Sequence, residues 1–247
     1  MLLYGKRSVR ERIKANPKSI KKIYLQKEIF QPEIISLARR NDIYFEIIES
    51  RRFFKLARRV QAQGIIAEVD NKFQYHNFET LINQNDKNKL TLIFLDRVTD
   101  PQNLGAILRV CACLGDYGIV LPRNESAQVN ETVLKVACGA ENYIPVCCVT
   151  NLSKAIQEAK EQGYSIGATI VEGGETPYQI KFNFPLGLLF GSEEKGIRPG
   201  LIKYVDYKLT LPMPGERLSF NVAMAVAIFC YEVSGQKRVY EKESTNG

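Results

Sequence analysis

The chain has 247 residues, 45% hydrophobic and 25% charged, which are ordinary proportions for a globular protein with room for one large domain or two smaller ones. No apolar run approaches the roughly 20 residues that cross a bilayer, and the opening MLLYGKRSVRER lacks the order of a secretory signal, so a soluble, cytoplasmic protein with no membrane partner is expected. A single histidine and six cysteines without a C-x-x-C pair leave almost no material for a His-based triad or a metal site, so no metal is expected and the cysteines read as reduced thiols packed as small hydrophobes.

Residues 1–70 alternate helix and strand patterns. KRSVRERIKA reads as a helix and IKKIYLQ as a strand. QPEIISLARRN reads as a helix opened near Pro32, and IYFEIIE as a strand. SRRFFKLARR is a short helix capped by Ser50, and GIIAEV a strand. This segment holds 16 of the 34 Lys and Arg but only 8 of the 27 Asp and Glu, a net +8, and the remaining 177 residues are close to neutral. A basic segment beside a neutral one points to a polyanion-binding module attached to a different function. The polar run 71–89, with His76 in it, reads as a linker, in which FETLI can form one helical turn.

From Leu90 the strand–helix alternation is regular. Strands are expected at 91–96, 117–121, 143–149, 164–170, 186–190 and 207–211. Helices are expected near 101–114, 130–138, 152–162, 198–204 and 219–234, and the tail 241–247 is expected to fray. Such alternation predicts a parallel sheet with helices on both faces, spanning 90–240. There is no G-x-G-x-x-G after the first strand and no G-x-x-x-x-G-K-[ST].

Three stretches carry unusual local features. In LIFLDRVTDPQNLGAILRVCACLG, Asp100 and Pro101 suit a helix start. Gln102, Gly105, Arg109 and Cys113 lie away from the apolar stripe, and a mid-helix glycine costs about 1 kcal/mol against alanine. That pattern suggests close approach at Gly105 beside Arg109. In PLGLLFGSEEKGIRPG a strand runs directly into Gly191, Ser192, Glu193 and Gly196, the kind of loop that brings backbone donors to a ligand. In LTLPMPGERLSFNVAMAVAIFCYE, Pro212, Pro214 and Gly215 force an irregular loop before a helix rich in small residues.

These stretches resemble, in order and spacing, the three signature motifs of the SpoU/TrmH branch of the SPOUT RNA methyltransferases. Asp100 to Gly105 followed by Arg109 is similar to the first motif. Gly191-Ser192-Glu193 with Gly196 is similar to the second, and Leu211-Pro212-Met213 with Gly215 and Ser219-Phe220-Asn221 to the third. VACGAENYIPV, 136–146, resembles a family segment between them. Residues 1–70 resemble the small ribosomal-protein-type RNA-binding domain fused before the catalytic one in ribosomal RNA members.

The resemblance implies an α/β fold with a trefoil-knotted C-terminal domain, a homodimer with composite sites, and S-adenosylmethionine as methyl donor. The activity it implies is methylation of a ribose 2′-hydroxyl, first of a guanosine in 23S ribosomal RNA; transfer RNA is the rival target. A non-catalytic RNA-binding or ribosome-assembly protein of the same fold is the other reading. The implied donor-binding residues are Gly191, Leu211 and Phe220, with Met213 and Gly196 of the same motifs. The implied catalytic set is Asn103, Arg109, Glu193, Ser219 and Asn221. An arginine is a poor base, because a guanidinium keeps its proton in proteins, and Arg109 reads as an anchor and activator acting through a phosphate. Glu193 fixes Asn103 or a substrate hydroxyl, or caps its own loop. Ser219 and Asn221 hold substrate or donor, or cap the last helix. Three departures stand out: Ala62 where the family usually has histidine, Phe220 where leucine is usual, and Glu141-Asn142 where Ala-Glu is commoner.

Overall fold

The computed structural model describes residues 1–58, 60–70, 73–83, 90–213 and 219–245. In chain order the first elements are β1 (Leu2–Tyr4), α1 (Lys6–Ala15), β2 (Ile20–Gln26), α2 (Pro32–Arg40), β3 (Phe45–Ile48), α3 (Ser50–Ala57), β4 (Ile65–Val69) and α4 (Phe78–Ile82). They are followed by β5 (Thr91–Asp96), α5 (Pro101–Leu114), β6 (Tyr117–Pro122), α6 (Glu131–Ala137), β7 (Val146–Val149), α7 (Leu152–Glu161) and β8 (Ser165–Thr169). The last are β9 (Leu186–Gly191), α8 (Pro199–Ile202), β10 (Tyr207–Leu209) and α9 (Val222–Thr245).

The chain forms two compact units. The first joins Met1–Gln74 to Val129–Tyr143, and the second joins Tyr75–Gln128 to Ile144–Gly247. In the first, a sheet of order β1-β4-β2-β3 pairs β4 antiparallel to β1 and β2, and β2 parallel to β3. Strand β4 is central and almost wholly apolar, IIAEV, as a doubly covered strand must be. Phe53, Ala57, Ala62 and Ile66 pack with Tyr4 and Ile48, so the position where the family usually carries histidine is a core position here.

The segment 129–143 belongs to this first unit, not to the C-terminal domain expected at 90–240. Arg12 reaches Glu141 at 3.0 Å, and the Glu141 side chain is fully buried. Burial pushes the Glu141 carboxyl above its ordinary range, although Arg12 pulls the other way. Gly139 has a φ of +94°, and a Cβ there would lie 2.6 Å from Glu11 Cβ, so this turn is held tight against α1.

In the second unit six parallel strands run in the order β10-β8-β9-β5-β6-β7. Strands β5, β6 and β9 are buried along nearly their whole length, in keeping with their continuous apolar runs. The expected linker is partly core. His76 donates its backbone N–H to Val146 O at 2.8 Å, and α4 buries Phe78, Leu81 and Ile82 in a cluster with Leu92, Phe94 and Val120. Residues 71, 72 and 84–89 of that expected linker lie outside the described residues.

Strand β7 starts at Val146 and not at 143, because Tyr143 still closes the turn over 140–142 by donating its N–H to Ala140 O at 3.0 Å and Pro145 has no N–H to give to a ladder. Helix α9 starts later and runs much further than expected, to Thr245, so it takes in 241–245 of the expected tail, whose residues 246 and 247 lie outside the described residues. The sequence after 235 is rich in good helix formers, and Lys237 pairs with Glu241 one turn on at 3.7 Å. Among the described residues no helix is long and apolar enough to cross a membrane.

Candidate functional site

Parallel strands place all their carboxyl ends on one edge, where open α/β sheets bind ligands. Strands β5 and β9 are neighbours there, with Asp96 opposite Gly191 in register. Each feeds one of the three unusual stretches. After β5, Asp100 caps α5 by accepting the Gln102 N–H at 2.8 Å, with Pro101 at the first helical position as expected. After β10, Asn221 caps α9 by accepting the Ala223 N–H at 2.9 Å. The capping residue of α9 is therefore Asn221 and not Ser219, which is exposed.

The three stretches meet in one hydrogen-bond chain with a fixed direction. The Ala223 N–H can only donate, so it sets Asn221 Oδ1 as acceptor. Asn221 Nδ2 then donates to Asn103 Oδ1 at 2.9 Å, and Asn103 Nδ2 donates to Glu193 Oε1 at 2.7 Å. Asn221 Nδ2 also lies 3.3 Å from Glu193 Oε1. Asn103 is buried, so its pairing meets the cost of removing an amide from water. Of the roles open to Glu193, the one that fixes Asn103 matches this geometry.

Beside the chain is a cavity of about 230 Å³. Phe190, Leu211, Met213, Phe220 and Phe229 give it apolar walls, and Gly191, Glu193, Gly196 and Ser219 line its polar side. All five expected donor-binding residues thus line one cavity. Gly191 has no room for a side chain: a Cβ would lie 2.2 Å from Gly196 C and 2.4 Å from Ile197 N. The loop folds back on itself there, with Gly196 N–H donating to Ser192 O at 2.9 Å and Gly196 itself at a φ of +59°. An apolar cavity with a few placed polar groups has the general form of a small-molecule site. A larger cavity of about 570 Å³, between residues 178–184 and the second half of α9, holds none of the motif residues.

Asp96 is a site residue that sequence reasoning passed over. Its side chain is fully buried and accepts the Arg198 N–H at 2.8 Å and Arg198 Nε at 2.8 Å. Arg97, at a φ of +61°, donates Nη2 to Gly196 O at 3.2 Å. The end of β5 thereby ties down the far end of the loop after β9. A carboxylate closing an apolar strand was the one available sign.

Arg109 does not join the cluster. It follows Asn103 by six residues, which turns it about 120° around the helix and about 9 Å along it, onto the exposed face of α5. Gly105 is buried, and α5 packs against α9. Pro214 and Gly215 of the third stretch lie outside the described residues. Cys111, Cys147 and Cys230 are buried, and burial raises the Cys147 thiol to about 12. Cys113 is exposed, so the small-hydrophobe reading fails for it.

Comparison with known proteins divides the chain near residues 75–90 and keeps 129–143 with the C-terminal part. The model of the SpoU rRNA Methylase family matches residues 90–231, and that of RNA 2'-O ribose methyltransferase substrate binding matches 2–75. The chain is 32% identical to the 23S rRNA (guanosine-2'-O-)-methyltransferase RlmB of Pectobacterium atrosepticum, across 96% of this chain and 98% of that one. It is 33% identical to an uncharacterized tRNA/rRNA methyltransferase of Synechocystis, across 87% of this chain but 56% of that longer protein. Among solved structures, the SpoU methyltransferase AviRb of Streptomyces viridochromogenes superposes with a TM-score of 0.80 at 20% identity, over 97% of this chain and 91% of that one. An rRNA methyltransferase of Sinorhizobium meliloti gives 0.77 at 22% identity, over 94% and 85%.

Proposed function

The chain belongs to the SpoU rRNA methylase family, and from that premise we propose that it methylates a ribose 2′-hydroxyl of RNA, a guanosine of 23S ribosomal RNA first, with S-adenosylmethionine as donor. The observation that carries this reading is the Asn103–Glu193–Asn221 chain beside an apolar cavity walled by the glycine loop. The relatives named for 23S rRNA guanosine methylation match nearly the full chain, which favours that target.

The residues present fit the donor. Phe190, Leu211, Met213, Phe220 and Phe229 would take an apolar ring system, and the crossing at Gly191 and Gly196 leaves backbone, not side chain, against the ligand. The donor supplies an electrophilic methyl group on a sulfonium. In the transfer a C–O bond would form at the ribose 2′-oxygen as the S–C bond breaks and leaves a neutral thioether, and the hydroxyl proton would pass to the phosphate that Arg109 holds and from there to water.

Glu193 uses Oε1 for two amide donors, which leaves Oε2 to orient a ribose hydroxyl. Asn103, held at both ends, fixes the Glu193 carboxylate. Arg109 would hold a phosphate through its planar fork and align the 2′-hydroxyl for proton loss. Its place on the far side of α5 favours a homodimer in which it serves the partner's site. A trefoil knot around the cavity and a cytoplasmic location complete the reading.

The test is incubation with methyl-tritiated donor and 23S rRNA, followed by nuclease digestion. Label in 2′-O-methylguanosine is expected. Label in transfer RNA alone would move the target, and no label in any RNA would sink the enzyme reading.

A further inference from the structure

Helix α3 carries an exposed face that the fold of its own unit does not use. Phe53 and Ala57 face inward, into the cluster with Tyr4, Ile48 and Ile66. On the opposite side, at spacings of three and four, stand Arg51, Phe54 and Lys55, and Arg58 follows just past the helix end at a φ of +46°, all four exposed. The three helical residues cover an arc of about 100° on the helix surface. Phe54 is 62% exposed, and its ring meets Phe53 edge-on at 6.1 Å between centroids, so the buried ring braces the exposed one.

Among the described residues the cations of this face, Arg51, Lys55 and Arg58, have no carboxylate partner, whereas the adjoining Arg52 is tied to Glu46. Ser50, one turn before Phe54, donates to Glu28 at 2.5 Å and accepts from Gln26 at 2.7 Å. That anchors the loop carrying Phe30, which is 81% exposed. Against a neutral protein surface, an exposed phenylalanine among three cations that pair with no described carboxylate would bury charge without partners. It suits a chain of phosphates with unstacked bases, which offers anions and aromatic faces together.

We propose that this face of α3 is a base-stacking platform: Phe54 stacks an unpaired nucleotide of the RNA substrate, and Arg51, Lys55 and Arg58 take the flanking phosphates. The inference rests on the RNA-substrate reading above and adds that the RNA is unpaired where it meets the first unit. A base–aromatic stack contributes enough for at least about a fivefold change in affinity.

The test is fluorescence anisotropy on the full-length protein, with a single-stranded RNA of about 12 nucleotides and a blunt duplex of the same length. Phe54→Ala should weaken single-strand binding at least about fivefold and leave duplex binding within about twofold. Its salt dependence should be unchanged. Phe54→Tyr, which keeps the ring, should bind like the parent. Arg51→Gln with Arg58→Gln should flatten the salt dependence by about 0.7 log units per log salt for each phosphate that the variant no longer neutralises.

Single-strand binding unaffected by Phe54→Ala would overturn the proposal, as would equal loss in the Ala and Tyr variants. A parent protein that does not bind the single strand would overturn it too. Methyl transfer is scored separately. Phe54-dependent binding without transfer leaves the platform standing and removes the enzyme reading, and transfer without Phe54 dependence does the reverse.

Discussion

Replacing Gly191 by alanine is the sharpest test of the glycine loop. The added Cβ would sit 2.2 Å from Gly196 C, 2.4 Å from Ile197 N and 2.5 Å from Gly196 O, where ordinary contact begins at 3.4 Å. All three neighbours are backbone, so residues 196–197 would have to retreat by about 1 Å. They are not free to do so: Gly196 is bonded to Ser192 and Arg97, and Arg198 is held by buried Asp96. Overpacking of this kind costs roughly 1–3 kcal/mol. The loop lines the cavity, so the cost should appear as a binding-competent state that is less populated, which weakens donor affinity about 5- to 150-fold. Calorimetric titration with S-adenosylmethionine measures it, and RNA binding by the same variant should not change. Gly187→Ala is the control. Its Cβ would meet Ile166 and Phe94 side chains at 2.8 and 2.9 Å inside the core, so it should lower the melting temperature and spare donor affinity. A Gly191→Ala protein with parental donor affinity would refute the loop's place in donor binding.

Glu141→Ala should leave Arg12 without its buried partner and cost about 3–5 kcal/mol, read as a fall in the denaturant midpoint. Because the folded state holds the Glu141 proton above the ordinary 4.5, stability should fall as pH rises from that value through the raised pKa and then level off. In Glu141→Gln that decline should be missing from the pH dependence. Arg109→Lys should keep the fold and the donor affinity but lower the single-turnover transfer rate at least about 100-fold, nearly 3 kcal/mol. A near-normal rate would leave Arg109 a surface residue. Asp96→Asn keeps the shape but weakens charge-assisted bonds to Arg198, and should cost about 1.5–3 kcal/mol together with donor affinity. An unchanged melting curve would show that the loop does not depend on that anchor.

Local pattern went far in this chain. Helices α1 and α5 and strands β2 and β5 run between the residues that pattern indicated, and for α5 and β5 Asp100 and Asp96 mark an end in the sequence itself. What escaped was set by partners far along the chain. Strand β1 is three residues long, too short to show a period, and exists because β4 pairs with it. Residues 129–143 look like one more helical turn of the second unit, yet Glu141 answers to Arg12 and Glu131 to the Leu2 N–H, each 129 positions away. Deleting residues 1–70 would therefore strip α6 of its packing as well as remove basic charge, and point substitutions on α3 are the cleaner probe of RNA binding. Of the candidate residues, Asn103, Glu193 and Asn221 came together and Arg109 did not, because helical spacing turns it away from Asn103.

The direction of the hydrogen-bond chain changes how substitutions in it must be read. Ala223 N–H, Asn221, Asn103 and Glu193 pass donors one way, from a backbone group that cannot reverse to a carboxylate that only accepts when ionised. Each amide is satisfied only while the next loop is in place, so the chain reports that the ends of β5 and β9 and the start of α9 have all closed. Loss of activity on truncating Asn103 would then mix two effects: removal of a group that positions Glu193, and release of a loop that Asn103 holds shut. Asn103 is buried, so a change at either neighbour of it reaches structure. A change at Glu193 leaves Asn103 and Asn221 bonded to each other but takes the 2.7 Å acceptor from the buried Asn103 Nδ2. A change at Asn103 takes the 2.9 Å acceptor from Asn221 Nδ2, which is exposed and keeps Glu193 Oε1 at 3.3 Å. Chemistry is therefore separated from folding at Glu193 by Gln and not by Ala: Glu193→Gln keeps an oxygen to accept from Asn103 Nδ2 and removes the charge, so a parental melting curve with a lost transfer rate is the result that would place Glu193 in the reaction.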